Sequence, residues 1–170
     1  MEMAIYLDLN ICSGCGACAV ACMDQNDIDP EKGQPANRRI YQVEEGGSIH
    51  YISASCLHCE DSPCIMGCPT GAITKNLKTK AVLVNKELCI GCHSCALACP
   101  FGVPRYDLED KMYKCSLCTE RVEAGLQPAC VRVCPVEALK FAPLNKVLEN
   151  KEFKFAGNMI NAAYKTAGEK

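Results

Sequence analysis

Sixteen of the 170 residues are cysteine, and they fall into four groups of four with none left over. Cys12, Cys15, Cys18 and Cys22 are spaced C-x2-C-x2-C-x3-C, and Cys89, Cys92, Cys95 and Cys99 repeat that spacing before Pro100. Cys56, Cys59, Cys64 and Cys68 have a middle gap widened to four and precede Pro69. Cys115, Cys118, Cys130 and Cys134 hold eleven residues between the second and third cysteines and precede Pro135. Three cysteines at intervals of three share one short wrapped loop, so their sulfurs can hold three corners of an iron–sulfur cube. The fourth has left that loop and can reach a neighbouring cube. Four such motifs in two reciprocal pairs would carry four 4Fe–4S clusters and use every thiol.

Other uses of the thiols fit less well. Structural zinc takes two C-x2-C pairs to form one tetrahedron, which suits only the fourth group. The first and third groups put three cysteines within seven residues and would leave surplus thiols around a zinc ion. A disulfide scaffold calls for an export signal, and MEMAIYLDLN has no basic region followed by an apolar run. The expectation is therefore a reduced, cytoplasmic protein. His58 and His93 lie inside motifs whose ligand places are already filled by cysteine. No nucleophile–base pair, phosphate loop or acid–base dyad stands out, so no catalytic residue is assigned.

Composition narrows the class further. A formal charge of −2 disfavours a nucleic-acid binder, and no apolar run approaches the ~20 residues of a membrane span. Six tyrosines, four phenylalanines and no tryptophan argue against a large aromatic core. Four clusters would add about −8 to the chain. That charge is tolerable only if backbone N–H groups face the sulfurs, which Gly14, Gly16 and Gly91 would permit. Lys114, Arg105, Arg121 and Arg132 lie close to the motifs, but the simpler reading for each is a solvated surface cation.

The elements around the motifs are short. AIT and AVLV flank a polar turn between Cys68 and Cys89, so groups two and three read as one contiguous module joined by a hairpin. Groups one and four then pair across it, with AIYLDL and ALKFA as outer strands. Pairing one with two and three with four stays open, although only fifteen residues separate Cys99 from Cys115. Within that segment RYDLEDKMYK reads as a tight hairpin. Residues 37–53 form another, turning at Gly46-Gly47, and read with the polar segment before them as an insertion that is either a partner surface or a solvated loop. After Pro143 the chain changes character. Met159, Ile160, Ala163, Tyr164 and Ala167 share one helical stripe that Asn158 can cap. So short a helix must dock, on its own chain or, as we expect, on a neighbouring subunit such as another copy of this chain.

The motifs ICSGCGACAVACMDQN, CLHCEDSPCIMGCPTGAI, CIGCHSCALACPFGVPRYD and YKCSLCTERVEAGLQPACVRVCP resemble the four-cluster ferredoxin subunits of the dimethyl sulfoxide reductase family. Similar subunits serve formate dehydrogenases and some tungsten aldehyde oxidoreductase and hydrogen-dependent carbon dioxide reductase complexes. The resemblance implies an α+β chain of two bacterial-type ferredoxin modules, each with two 4Fe–4S clusters, short β-hairpins and short helices. Residues 1–24 and 105–142 would form one module and 54–104 the other, with 25–53 as the hairpin insertion and 143–170 as the tail. Carried over by position, one cluster takes Cys12, Cys15, Cys18 and Cys134, and its partner takes Cys115, Cys118, Cys130 and Cys22. In the other module Cys56, Cys59 and Cys64 join Cys99, while Cys89, Cys92 and Cys95 join Cys68. Met23 departs from the proline that follows the last cysteine of the other motifs, which would loosen the turn after Cys22. The implied role is electron relay without catalysis, between a large molybdenum or tungsten pterin subunit and a flavoprotein, hydrogenase or soluble carrier. The alternative is a free polyferredoxin shuttling between enzymes.

Overall fold

The structure is a computed structural model that describes residues 3–149. The first half runs β1 (Met3–Leu7), α1 (Ala17–Gln25), a 3-10 turn (Pro30–Lys32), β2 (Arg39–Glu45), β3 (Ser48–Ala54), α2 (Pro63–Met66), β4 (Ile73–Lys75) and β5 (Val82–Val84). The second half runs α3 (Ser94–Ala98), β6 (Arg105–Tyr106), β7 (Met112–Tyr113), α4 (Thr119–Glu123), α5 (Ala129–Arg132), β8 (Leu139–Pro143) and α6 (Leu144–Glu149). Among the described residues no helix is long and apolar enough to cross a membrane.

All the strands of the described residues lie in two-stranded antiparallel ribbons. Three are local hairpins, pairing β2 with β3, β4 with β5, and β6 with β7. In the first, Glu45 faces Ser48 across Gly46 and Gly47. Both glycines have positive φ, the conformation that a two-residue turn needs to follow the strand twist. The fourth ribbon is long-range: β1 pairs with β8, Leu7 opposite Leu139 and Met3 opposite Pro143. The N-terminal and C-terminal parts of the chain are thereby held together. Helix α1, which carries Cys18 and Cys22, packs on α5, which carries Cys130; α2 packs on α3.

Two small cores follow. Ala72, Ile73, Val82 and Met112 surround Cys89 and Cys95 in one. Val131 and Leu139 surround Cys18 and Cys130 in the other, with Ile5, Leu7, Ile40 and Phe141 packed against them. Cysteine is a structural member of both cores, so their cohesion is tied to whatever the sulfurs hold.

The expectations for Met23 and Lys114 need revising, and the structure adds detail at two further segments. Without a proline at Met23, α1 runs on through Cys22 to Gln25 rather than loosening. In the other motifs the helix stops before Cys68-Pro69, Cys99-Pro100 and Cys134-Pro135, since proline lacks the N–H a helix interior requires. Residues 37–54 form the expected hairpin, exposed toward its turn and anchored at its base. Asn37, Arg38 and Ser53 are buried, and Ile40 packs into the second core. Lys114 is buried at 7% exposure rather than solvated, whereas Arg132 is exposed as expected. Lastly, the segment after Pro143 begins as α6, which packs on β1 and β8 with Val147 buried. The stripe at 159–167 lies outside the described residues.

Candidate iron–sulfur centre

The loops that carry the cysteines share one backbone device. The residue just before the second cysteine of each motif is left-handed: Gly14 (φ 70°), His58 (φ 51°), Gly91 (φ 68°) and Leu117 (φ 59°). In three of the motifs the N–H of that same residue reaches back to the first sulfur. The His58 N–H donates to Cys56 Sγ at 3.4 Å, the Leu117 N–H donates to Cys115 Sγ at 3.4 Å, and the Gly14 N–H serves Cys12. Two glycines are also demanded by space. A Cβ on Gly14 would collide with the Tyr51 ring, and one on Gly91 would lie 2.9 Å from the Asp110 carbonyl oxygen.

The sulfurs gather in four sets. Cys12, Cys15, Cys18 and Cys134 line one open pocket. Cys68, Cys89, Cys92 and Cys95 line another. Cys22 has Cys115, Cys130 and Cys118 as its charge neighbours. Cys59 and Cys64 each have Cys56 and Cys99 as theirs. In every set one thiol comes from the end of the partner motif. The sets also follow one another: Cys18 neighbours Cys130, Cys115 neighbours Cys56, and α2 lies against α3.

As free thiols these groups resist ionisation. Burial, then the proximity of Cys115 and Cys130, pushes the Cys22 thiol up to about 12. Burial likewise raises Cys12, Cys56, Cys59, Cys64, Cys115, Cys118 and Cys130. Thiols crowded in this way can become thiolates together only around a cationic centre. A set of four thiolates and no other donor type suits an iron–sulfur cube. Cys68 points the same way. Burial would raise it, but the Thr70 hydroxyl and the backbone N–H groups of Thr70, Ala72 and Ile73 outweigh that and lower it.

Several residues besides the cysteines lie at these sets, and of these the sequence left Arg38, Ser53 and Tyr106 unremarked. Arg38, at 2% exposure, donates from Nη1 to the Ser53 carbonyl and hydroxyl, both at 3.0 Å. Its Nη2 donates to Ser55 Oγ at 2.7 Å, and the guanidinium charge lies near Cys130. Ser53 Oγ in turn lies 3.2 Å from Cys18 Sγ. Lys114 Nζ donates to the carbonyls of Val82 and Cys115, and its charge lies near Cys56. Tyr106 Oη lies 3.2 Å from Cys95 Sγ, and its ring stacks on His93 with centroids 3.8 Å apart. His58 Nδ1 accepts the Val82 N–H, and burial drives its imidazole down to about 3, a neutral ring. Arg105 and Arg121 bond to carbonyl oxygens of their own loops.

Comparison with known proteins agrees with this donor chemistry. Residues 47–144 match the 4Fe–4S dicluster domain, and residues 11–73 match a second description of it. The protein belongs to the 4Fe–4S dicluster family. Within that family it is 41% identical to one chain of the anaerobic dimethyl sulfoxide reductase of Haemophilus influenzae, over 86% of this sequence and 76% of that one. It is 36% identical to the iron–sulfur subunit of the nitrate-inducible formate dehydrogenase of Escherichia coli, over 91% of this sequence and 59% of that one. One subunit of the sulfite dehydrogenase of Allochromatium vinosum is 36% identical, over 85% and 70%. This dicluster chain is thus an iron–sulfur protein of the type found as subunits of oxidoreductase complexes.

Proposed function

We propose that the chain is a four-cluster electron relay with no catalytic site of its own. Cys12, Cys15, Cys18 and Cys134 would hold the first cluster, and Cys22, Cys115, Cys118 and Cys130 the second. Cys56, Cys59, Cys64 and Cys99 would hold the third, and Cys68, Cys89, Cys92 and Cys95 the fourth. The observation that carries this is the exchange of end cysteines between motifs, which leaves no thiol unused. A 4Fe–4S cluster, when bound, accepts and releases one electron.

The protein's part is to hold, space and insulate. The left-handed turns direct N–H groups at the sulfurs, and Ile5, Leu7, Ile73, Val82 and Met112 keep water away. Cys15 and Cys92 are the exposed thiols of the first and fourth sets, whereas the second set is mostly buried and the third half-buried, so electrons would enter and leave at the ends and pass through the second and third sets between them. The names of the relatives support a large oxidoreductase subunit as the donor or acceptor at one end. By the family resemblance it is a molybdenum or tungsten pterin enzyme, of aldehyde oxidoreductase or formate dehydrogenase type. A flavoprotein, a hydrogenase or a soluble carrier would serve the other end.

Anaerobic purification followed by iron and sulfide analysis tests the relay. About sixteen irons per chain are expected, with a brown colour, and a large pterin-containing chain should co-purify from the native source. A colourless sample that binds zinc stoichiometrically would overturn the reading. A brown chain recovered alone from that source would favour the free shuttle.

A further inference from the structure

The hairpin of β2 and β3 meets the first sulfur set through one face of its base. Residues two apart on a strand share a face, as do residues paired across a ribbon. Tyr51, Ser53 and Ile40, the last opposite Ser53, are such a group. The Tyr51 ring stands where a Cβ on Gly14 would go, and Ile40 and Ser53 line the pocket of Cys12, Cys15, Cys18 and Cys134. Ser53 Oγ lies 3.2 Å from Cys18 Sγ.

The chemistry of three groups fixes the direction of that last bond. A guanidinium only donates, a hydroxyl has one hydrogen and two lone pairs, and a thiolate that ligates iron only accepts. Arg38 Nη1 donates to the Ser53 carbonyl and to Ser53 Oγ, both at 3.0 Å, and so takes up a lone pair of the hydroxyl. The single hydroxyl hydrogen is left for Cys18 Sγ. Nη2 donates to Ser55 Oγ at 2.7 Å, which holds the guanidinium from a second side. Arg38 is 2% exposed and forms no ion pair with a carboxylate among the described residues. No carboxylate there cancels its pull on the hydroxyl.

We propose that Ser53 and Arg38 are positioning residues that raise the reduction potential of the first set, Cys12, Cys15, Cys18 and Cys134. Ser53 does so by donating its hydroxyl hydrogen to Cys18, and Arg38 by holding and polarising that hydroxyl. This rests on the cluster assignment above. Reduction adds one electron, and so more negative charge on the sulfurs, and a donor aimed at one of them stabilises that state more than the oxidised one. Hydrogen bonds in series strengthen one another, most where water is excluded. The hairpin insertion thus carries at its base a device that sets how readily one end of the relay accepts an electron.

The test is an anaerobic potentiometric titration of the full iron-loaded chain, followed by electron paramagnetic resonance. Cys15→Ser, which alters a ligand of the first set only, marks the signal that belongs to that set. Ser53→Ala removes the hydroxyl but keeps the carbonyl that Arg38 also bonds. It should disfavour reduction at the marked signal by about tenfold, a downward shift of about 59 mV for one electron. Ser53→Thr, which keeps a hydroxyl, should leave most of the potential in place. Because the Arg38 charge also lies near Cys130 of the second set, the serine variants isolate the first. Arg38→Gln should lower the marked signal too, and most of that effect should vanish in the Ser53→Ala background. Full iron with an unmoved marked signal in Ser53→Ala would overturn the proposal, as would a shift confined to another signal or equal shifts in the alanine and threonine variants. An Arg38→Gln shift that persists in full without the hydroxyl would overturn the role of Arg38. Should Ser53→Ala lose iron, Arg38→Gln decides alone, and an unmoved marked signal then defeats the proposal. Each of these results leaves the cluster assignment standing, whereas an iron count far below about sixteen in the unaltered chain would remove the assignment itself.

Discussion

At the scale of single residues the centre depends on backbone conformations that glycine allows and other residues tolerate only under constraint. Gly14 shows both demands, a φ of 70° and a Tyr51 ring where its Cβ would go. Gly14→Ala should cost about 1–2 kcal/mol in conformation alone, and the collision should displace the loop that serves Cys12 and Cys15. Iron content should fall from about sixteen toward about twelve per chain, one cluster's worth. Gly46→Ala, with a φ of 58° but open space around it, should keep its iron, and colorimetric iron analysis of both variants checks the contrast. Gly14 and Gly91 were legible because glycine advertises its conformation. His58 and Leu117 take the same turn with side chains that do not advertise it, and only their matching place before the second cysteine could have disclosed it. Arg38 was harder still. It sits in Asn37-Arg38-Arg39, where nothing local distinguishes a buried cation from its half-exposed neighbour, and burial is decided by residues far along the chain.

At the scale of elements the sequence was most readable where contacts are local. The alternation around Gly46-Gly47 and the apolar runs flanking Leu77–Lys80 each specified a hairpin, because strand and turn signals lie within a few residues. The ribbon of β1 with β8 came from the same apolar runs, but its partner choice rested on the arithmetic of the motifs. Helix lengths were misjudged at one point. Met23 lets α1 continue past Cys22, and the extra turn brings Asn26 Nδ2 to 2.7 Å from the Cys22 carbonyl and 3.7 Å from its sulfur. Met23→Pro would impose on this motif the stop that the other three have. It should remove a helical hydrogen bond and the Asn26 contacts, at about 3 kcal/mol. Thermal unfolding of the iron-loaded chain should show a lower midpoint. An unchanged midpoint would mean that the last turn of α1 adds nothing to stability.

At the scale of the whole molecule the thiols differ most in exposure. Cys15 and Cys92 are exposed, whereas Cys18, Cys22, Cys89, Cys95, Cys115 and Cys130 are buried. Oxidants and water reach a sulfur before they reach the iron behind it, so damage should follow this gradient. Brief exposure of the iron-loaded chain to air, followed by thiol alkylation and peptide mapping, should label Cys15 and Cys92 first. Cys115 and Cys130 should appear only after longer exposure, together with the loss of helix and strand signal that follows when sulfurs shared by both cores are released. Labelling of all sixteen thiols in one step would show instead that the chain opens as a unit. The four sets would then be held by a single cooperative transition, and local cover would not set their order of loss.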